Sequence, residues 1–364
     1  MRVFLFNTLF ILIGISACAQ SETEMSFEEY NPPSTLVVPE NPVIRAKFPF
    51  IDIHSHHWRM AQQDLGKLAG EMDEMNMGII VNLSGGGGKR LKDITDHVSA
   101  SKHANRIAVF TNLNYQSIDD PDFIEASLQQ LEYDVANGAK GLKVFKSLGL
   151  TNKDKAGKRI AINDKRLDPI WAKCGELGIP ILIHSGDPKP FWQPHDANNE
   201  RWLELKTRPR RKRGADNPVP WETIIAEQHD IFRRHKGTTF IAAHFGWYAN
   251  DLARLSEILD EMPNVYIECG AIIAELGRQP RNANAFLTKY QDRILFGKDS
   301  YKPEEYPTYF RVLETEDEYF PYYKKYHAFW SMYGLGLEDE VLKKMYYKNA
   351  LKIVPGLDKS LFPE

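Results

Sequence analysis

The sequence has few cysteines, no excess of charge and, beyond its N-terminus, no long apolar run. Its three cysteines, Cys18, Cys174 and Cys269, are too few for a disulfide scaffold or for a zinc site built from thiolates. Lysine and arginine (46) nearly balance aspartate and glutamate (49), so the net charge of −3 does not favour binding to nucleic acid. What remains is a 364-residue chain that is 43% hydrophobic, which is enough for one large globular core.

The N-terminus carries an apolar run from Val3 to Ile15. This run is short for a membrane span and is followed by Ser16-Ala17-Cys18, so residues 1–17 are predicted to be a signal peptide. A cysteine directly after small residues resembles a bacterial lipoprotein cleavage site. That resemblance implies a lipid anchor on Cys18 and an exported protein, held on the periplasmic or cell-surface side of a bacterial membrane. In the alternative, a plain signal peptide is cut nearby and Cys18 is incidental. The polar, proline-containing residues 18–44 are predicted to be a tether.

Between residues 45 and 357, short β-branched runs alternate with longer helical patterns. Eight runs are predicted to be strands: 50–53, 78–83, 107–111, 141–145, 180–183, 239–243, 265–268 and 294–296. Helical patterns cover 62–75, 120–137, 166–177, 221–235, 249–261 and 338–352. Nearly continuous apolar strands separated by helices are typical of a buried parallel sheet. Eight such units predict an α/β fold, a (β/α)8 TIM barrel, followed by a tail at 358–364.

Two connections are longer than a minimal barrel needs, one from Gly186 to Pro220 after strand 5 and one from Ser300 to Gly336 after strand 8. Such loops lie on the C-terminal face of a barrel, where barrel enzymes carry their sites. Both loops are aromatic, and Trp192 and His195 of the first are candidate substrate contacts. In the alternative, the aromatic side chains only pack the loops against each other.

Five residues with metal-binding side chains stand where an apolar strand ends. They are His54, His56, His184, His244 and Asp299. Residues i and i+2 of a strand point to the same side, so both histidines of the first pair can face the barrel mouth. The ends of all strands converge there, which predicts one metal site. The remaining histidines fall in helices or loops and are interpreted as structural (His57, His97, His103, His229, His235 and His327).

The strand-end motifs together resemble one enzyme family. The motifs are Ile51-Asp52-Ile53-His54-Ser55-His56, Ile183-His184-Ser185-Gly186, Ala243-His244-Phe245-Gly246 and Leu295-Phe296-Gly297-Lys298-Asp299. This pattern is similar to the amidohydrolase superfamily, and more narrowly to its amidohydrolase-2 branch. That branch also contains enzymes of the aminocarboxymuconate-semialdehyde decarboxylase type.

The resemblance implies a metal held by His54, His56, His184 and Asp299, with His244 beside the reacting water or the substrate. Lys298 is a departure, because many relatives carry a small or hydroxyl residue before the aspartate. Imidazole plus carboxylate suits one Zn²⁺, with Mn²⁺ as the second choice. Such an ion lowers the pKa of a bound water to about 7. Asp299 is the expected proton acceptor, and His244 is expected to orient the water or to polarise a carbonyl.

Three further features have two interpretations each. Lys143 on strand 4 is either carboxylated and bridges two metals, as in some superfamily members, or stays an ammonium group that neutralises a substrate carboxylate; one metal is favoured. Glu268 at the end of strand 7 either supports the site or binds substrate. The run Gly85 to Gly88 does not match a phosphate-binding loop, and its N–H groups either bind an anion at the barrel mouth or belong to a flexible loop.

Three functions follow from these observations. The first is metal-dependent hydrolysis of a small-molecule ester, lactone or amide, with a sugar acid or an aromatic compound as candidate substrates. The second is non-oxidative decarboxylation of a carboxylic acid. Export weighs against the second function, because decarboxylases of this type belong to intracellular catabolism. The third is a non-catalytic binding lipoprotein, which the complete ligand set argues against. The sequence does not indicate the oligomeric state.

Overall fold

A computed structural model describes residues 25–214 and 219–363 of the chain. The predicted signal peptide, Cys18 and the first part of the tether lie outside these residues. The chain divides into two compact units, one up to Leu36 and one from Val37 onward. The last part of the predicted tether therefore belongs to the second unit, where the Asn41 backbone and side-chain amides donate to Asp317 at 2.8 and 2.7 Å. Within the described ranges, no helix has the length and apolarity that crossing a bilayer requires.

The second unit is built on eight parallel strands in sequential order. These are β1 (Phe50–Ser55), β2 (Met77–Asn82), β3 (Ile107–Thr111), β4 (Ala139–Val144), β5 (Ile181–Ile183), β6 (Phe240–Ala242), β7 (Val265–Glu268) and β8 (Ile294–Leu295). Two hydrogen bonds join the last strand to the first: Ile53 N–H donates to the Phe296 carbonyl at 3.1 Å and Asp299 N–H to the His54 carbonyl at 2.7 Å. The predicted TIM barrel is confirmed.

Helices surround the strands and fill the connections between them. They are α1 (Leu65–Met75), α2 (Lys89–Ser99), α3 (Phe123–Ala136), α4 (Ser147–Leu150), α5 (Asp168–Glu176), α6 (Trp202–Thr207), α7 (Trp221–Arg234), α8 (Leu252–Glu261), α9 (Ile273–Gly277), α10 (Pro280–Lys289), α11 (Tyr306–Glu314), α12 (Asp339–Lys343) and α13 (Asn349–Ile353). A hairpin of β9 (Phe320–Pro321) and β10 (Ser331–Met332) lies in the loop after β8. Six of these helices were not predicted from the sequence: α2 and α10, which have few apolar residues, and the short α4, α6, α9 and α11 within the connections.

The strands are buried on both faces, as their apolar sequences predict. Every residue of β1 is buried, including Asp52 and His54. Gly141 of β4 permits a close approach, because a Cβ atom there would lie 2.4 Å from the Phe110 ring. Phe362, within the predicted C-terminal tail, packs on Tyr347 with 5.2 Å between the ring centroids. The core therefore leaves polar side chains mainly at the carboxyl ends of the strands.

His229 on α7 packs inside the fold, in agreement with its interpretation from the sequence as a structural residue. Its ring is buried and lies 6.1 Å from the Tyr248 ring and 6.2 Å from the Phe232 ring. Burial and, to a smaller extent, the nearby Arg233 lower the pKa of His229 from 6.5 to about 4. In the unfolded chain this imidazole binds a proton at a higher pH than in the folded protein, so acid favours unfolding.

We expect His229→Phe to make the protein less sensitive to acid. The folded pKa is the lower one, so the stability that depends on neutral His229 is complete above pH 6.5 and is lost as the pH falls toward 4. This pKa shift corresponds to at most roughly 3 kcal/mol in the free energy of unfolding. Urea unfolding at pH 7 and pH 5 should show a smaller pH difference for the variant than for the wild type. Phe232→Leu, which removes no titrating group, should leave that difference unchanged, and an unchanged difference in His229→Phe would contradict the assignment.

Candidate metal centre and active site

The five residues predicted at the strand ends lie in one cluster at the carboxyl end of the barrel. The Nε2 atoms of His54 and His56 lie 3.4 and 3.6 Å from Asp299 Oδ1. His244 Nε2 lies 3.3 Å from His184 Nδ1. The His54 and His244 ring centroids are 5.1 Å apart, which connects the two halves of the cluster. The side chains at the ends of strands on different sides of the barrel thus lie close together at its carboxyl end.

Two sets of side chains have ligand atoms close enough to share a cation: His54, His56 and Asp299, and deeper in the barrel His54, His244 and Glu268. In the deeper set, His54 Nδ1 lies within hydrogen-bond distance, 2.9 Å, of Glu268 Oε1. Glu268 also accepts the backbone N–H groups of His244 at 2.7 Å and Gly270 at 2.6 Å. These three donors occupy the Glu268 carboxylate, so the outer set is the better place for a cation.

Hydrogen bonds orient the imidazoles of His54 and His56. A carboxylate only accepts, so His54 Nδ1 carries the proton donated to Glu268 and Nε2 keeps a free electron pair. His56 Nδ1 bonds to the Ser84 hydroxyl at 2.7 Å, which turns its Nε2 toward Asp299. Glu268 therefore contacts the histidines directly, and it is buried and does not line the cavity, which favours the supporting role of the two predicted for it.

The same reasoning applies to His184 and His244. His244 Nδ1 donates to the Gly270 carbonyl at 2.6 Å, which leaves Nε2 as an acceptor. His184 Nδ1 then donates to His244 Nε2, so His184 Nε2 keeps a free electron pair. Among the described residues, the buried Nε2 atoms of His54 and His184 have no hydrogen-bond partner. Buried polar atoms are seldom left unpaired, and the free His54 nitrogen beside the Asp299 carboxylate fits a divalent metal. His184, the fourth ligand predicted from the sequence, belongs to neither set whose ligand atoms lie close enough to share a cation.

The histidines are held in the neutral form that binds metals. Burial lowers the pKa values of His54 and His184 well below the ordinary value of 6.5. Burial and the Lys143 ammonium group lower that of His56 to about 4. Burial opposes ionisation of Asp299, but the imidazoles around it outweigh that effect and lower its pKa. At neutral pH the cluster therefore offers neutral imidazoles and a carboxylate.

An unusual backbone turn aims His244 into the cluster. His244, Phe245, Gly246 and Trp247 all have positive φ angles, between 54° and 65°. For residues other than glycine this conformation costs roughly 1–2 kcal/mol each. The Trp247 ring stacks on His244 at 4.5 Å, and its indole N–H donates to the Ser185 carbonyl at 2.9 Å. Trp247 was not predicted from the sequence to belong to the site, although it follows His244 by three residues at a strand end.

Lys298, the departure from the family pattern, holds the loop that follows β8. Its ammonium group donates to the Ser300 carbonyl at 2.7 Å and pairs with Glu305. Its side chain is only 1% exposed, and its Nζ lies 5.5 Å from the Tyr306 ring centroid. The lysine thus fixes the backbone beside Asp299.

A cavity of about 180 Å³ opens beside the cluster and is walled by both long loops. The loop after β5 contributes Phe191, Glu204 and Arg211, and the loop after β8 contributes Tyr323, Tyr326 and His327. His327, interpreted from the sequence as structural, therefore faces the cavity. Its place in the long loop after strand 8 was the available signal.

Trp192 and His195, the substrate contacts predicted in the first loop, do not belong to this cavity wall. The Trp192 indole donates to the Val219 carbonyl at 3.0 Å. The His195 ring stacks on Trp202 with 5.5 Å between the centroids. Both side chains pack the loop, which is the alternative raised for its aromatic residues.

The glycine run after β2 also has a packing role. Gly86 N–H donates to Asn112 Oδ1 and Gly88 N–H to Asp134 Oδ1, both at 2.8 Å. A Cβ atom on Gly87 would lie 1.9 Å from Gln130 Nε2. Because two of its amides already have protein acceptors, the run is not a free anion-binding loop.

A buried charge network centred on Arg201 joins the loops around the cavity. Arg201 donates to Glu204 at 3.0 Å, to Glu275 at 2.7 Å and to the His327 carbonyl at 2.9 Å. Its side chain is 5% exposed. The loops after β5 and β8 are thus tied to α9 by one guanidinium group.

We expect Arg201→Met to destabilise the protein by roughly 1–3 kcal/mol, because the buried carboxylates of Glu204 and Glu275 each lose a charged hydrogen-bond donor. Arg211 and Arg278 still pair with these two carboxylates. Urea unfolding measures the loss, and limited proteolysis should detect opening of the loop after β5. Arg254→Met is the control, since Arg254 pairs with Glu257 at the exposed surface. An effect of Arg201→Met no larger than that of the control would mean that the network does not hold the loops.

We expect the purified protein to bind about one divalent ion at the outer set, and the ion to stabilise the fold. Free Zn²⁺ or Mn²⁺ at a hundredfold its dissociation constant adds about 2.7 kcal/mol by mass action. Thermal unfolding of protein treated with chelator and then reloaded measures this increment. His56→Ala should abolish it. His57→Ala, at the next position, should keep it, because His57 bonds to Ser55 and Gln63 outside the cluster. An increment that survives in His56→Ala would place the ion elsewhere.

Solved structures with this architecture support the fold. The chain is similar to a putative amidohydrolase from Staphylococcus aureus (17% identity, TM-score 0.52, covering 84% of this chain and 99% of that one). It is similar to a dihydroxybenzoic acid decarboxylase from Polaromonas sp. JS666 with bound manganese (12% identity, TM-score 0.53, 84% and 96%). It is also similar to a 5-carboxyvanillate decarboxylase from Novosphingobium aromaticivorans, again with manganese (14% identity, TM-score 0.51, 86% and 99%). At these identities the likeness shows the fold alone.

No curated protein sequence matches the chain. The family model Amidohydro_2, described as Amidohydrolase, matches residues 98–356. That range holds His184, His244 and Asp299, and the barrel brings His54 and His56 to them from outside it. Since the match covers well over half of the sequence, the chain belongs to the amidohydrolase family.

Proposed function

We propose that this protein is a metal-dependent hydrolase of a small-molecule ester, lactone or amide. The observation that carries the proposal is the outer ligand set, in which a carboxylate oxygen of Asp299 lies 3.4 Å from a buried, otherwise unpartnered nitrogen of His54. His56 completes this set of two imidazoles and one carboxylate. His184 lies outside the set, but its Nε2 is also unpartnered among the described residues and its side chain lines the same cavity of small-molecule size as Asp299. Family membership and this donor set support the same chemistry.

The donor set indicates which metals suit the site. Nitrogen ligands with one carboxylate favour Zn²⁺, and Mn²⁺ is the second candidate. The two similar decarboxylases contain manganese, so both ions belong in the test. When bound, a divalent ion supplies Lewis-acid chemistry that makes water a stronger acid and a carbonyl a better electrophile.

Asp299 is the side chain best placed to move a proton. Its carboxylate stays ionised at neutral pH because the surrounding imidazoles lower its pKa. Its side chain is 36% exposed and lines the cavity, so it can accept a proton from a water molecule there and return it to a leaving group. Its positive φ angle of 82° and its N–H bond to the His54 carbonyl hold it in this orientation.

His244 is placed to orient the substrate. Its Nδ1 proton is fixed on Gly270, and the stacked Trp247 ring limits rotation of the imidazole. The ring therefore lines the cavity in one tautomer and one orientation. It meets a substrate at Nε2 only where a substrate group takes the place of the 3.3 Å contact with His184 Nδ1. Holding a reacting carbonyl or water in such a fixed position lowers the entropic part of the barrier.

A substrate panel tests the proposal, and Asp299→Asn tests the proton-transfer role. Lactones, esters, amides and aromatic acids are offered to Zn²⁺- and Mn²⁺-loaded protein, with release of acid and of carbon dioxide both measured. We expect acid release, reduced by roughly 10²–10⁴-fold in Asp299→Asn while the fold is kept.

Asp292→Asn, on the segment that leads into β8, is the matched control and should leave turnover unchanged. Metal content is measured for each variant so that loss of the ion is not mistaken for loss of the proton acceptor. Carbon dioxide release without hydrolysis would contradict the proposal and indicate decarboxylation instead. Two of the structurally similar proteins are named as decarboxylases. Metal-loaded protein that is inert toward the whole panel would favour a binding role.

A further inference from the structure

Lys143 is a buried cation without a partner. The residue is 1% exposed, yet its Nζ atom has no hydrogen-bond partner among the described residues. Lysine is almost never fully buried unless it is paired, because desolvating an ammonium group without compensation is costly. The metal ligands do not account for this side chain.

The position of Lys143 places its amine beside the outer ligand set. It stands near the end of β4, paired in register with Leu182 of β5, two residues before His184. Its Nζ lies 5.7 Å from the Phe145 ring centroid. The Phe145 ring in turn stacks on the imidazole of His56, with 5.8 Å between the centroids. The ammonium group therefore lies close to His56, buried next to the metal-binding candidates rather than in the cavity wall itself.

The two nearest carboxylates of the site are already engaged. Glu268 accepts from His54, His244 and Gly270. Asp299 faces the imidazoles of His54 and His56. Both attract Lys143 electrostatically, but neither bonds to its Nζ. A divalent ion would add positive charge at this position, so the amine needs an anion from elsewhere.

We propose that Lys143 binds a carboxylate group of the substrate, so that the enzyme acts on small organic acids. The inference rests on the proposed function and deepens it: the hydrolysed ester, lactone or amide carries a carboxylate that is not itself the reacting group. A buried ammonium group beside a carboxylate in low-dielectric surroundings makes a strong charge-assisted hydrogen bond. Neutral analogues of the same shape leave the ammonium group unpaired and are rejected.

The experiment measures binding without turnover. Calorimetry with Zn²⁺-loaded protein compares benzoate with benzamide, which has nearly the same shape and no charge. We expect benzoate to bind at least tenfold more tightly than benzamide to the wild type. In Lys143→Met this preference should fall by roughly tenfold to a hundredfold, with metal content and unfolding temperature retained.

Three further variants serve as a control, a charge-retaining variant and a second uncharged variant. Lys140→Met, on the same strand but at its other end, should behave as the wild type. Lys143→Arg keeps the positive charge and should retain part of the preference for benzoate. If Lys143→Met does not fold, Lys143→Gln is used as the uncharged variant. An unchanged preference in the uncharged variant would overturn the proposal.

A second outcome would also overturn it. A carboxylated lysine forms when the neutral amine attacks carbon dioxide and loses a proton, which gives an anionic carbamate that bridges two ions. A carbamate carbon signal after incubation with ¹³C-bicarbonate, together with two metal ions per chain, would show that Lys143 is a ligand. Because binding is measured without hydrolysis, failure here is distinct from an inert substrate panel.

Discussion

The contact between the first and last strands is the constraint on which the site depends. Asp52, buried within β1, accepts hydrogen bonds from the backbone of His54 at 3.0 Å and of Lys298 at 3.1 Å, and from the Tyr306 hydroxyl at 2.6 Å. Burial raises its pKa to about 7 despite these bonds. Asp299 N–H completes the contact by donating to the His54 carbonyl. The same bonds that close the barrel thus set the distance between the buried His54 imidazole and the Asp299 carboxylate, which lines the cavity.

Glu268 performs a similar task on the other side of the cluster. One carboxylate fixes the tautomer of His54 and the backbone of His244. The Gly270 carbonyl accepts from His244 Nδ1 and so fixes the proton of His244 on that nitrogen. The free His244 Nε2 in turn fixes the proton of His184 on Nδ1. The hydrogen bonds among these residues together decide which nitrogen of each neutral histidine is free. Around this network, Arg201 and Lys298 hold the loops through charged pairs. Lys143, whose Nζ has no hydrogen-bond partner in the described part of the chain, lies near the metal-binding candidates.

Local patterning was enough to predict much of the fold. The observed strands begin and end within about two residues of the predicted ones, because buried parallel strands are nearly continuous apolar runs. Helices α2 and α10 were missed because their outward faces leave few apolar residues to detect. The helices α4, α6, α9 and α11 were missed because segments of four to nine residues are too short to show a clear helical period. The metal-binding candidates were visible because ligand side chains interrupt apolar strands at their ends. His327, Arg201 and Trp247 were not, since an aromatic or charged residue in a long loop has the same local pattern whether it packs the loop or faces a cavity.

The sequence by itself determined the barrel, the five residues at the strand ends and the two long loops, because these depend on periodicity and on order along the chain. The signal peptide and the Cys18 anchor remain predictions from the sequence. The tertiary structure decided which atoms meet: Glu268 supports His54, Lys298 ties down a loop, Trp192 and His195 pack away from the cavity, and Lys143 is left without a partner. Contacts between strands far apart in sequence carry no local signature, so only the closed barrel could assign these roles.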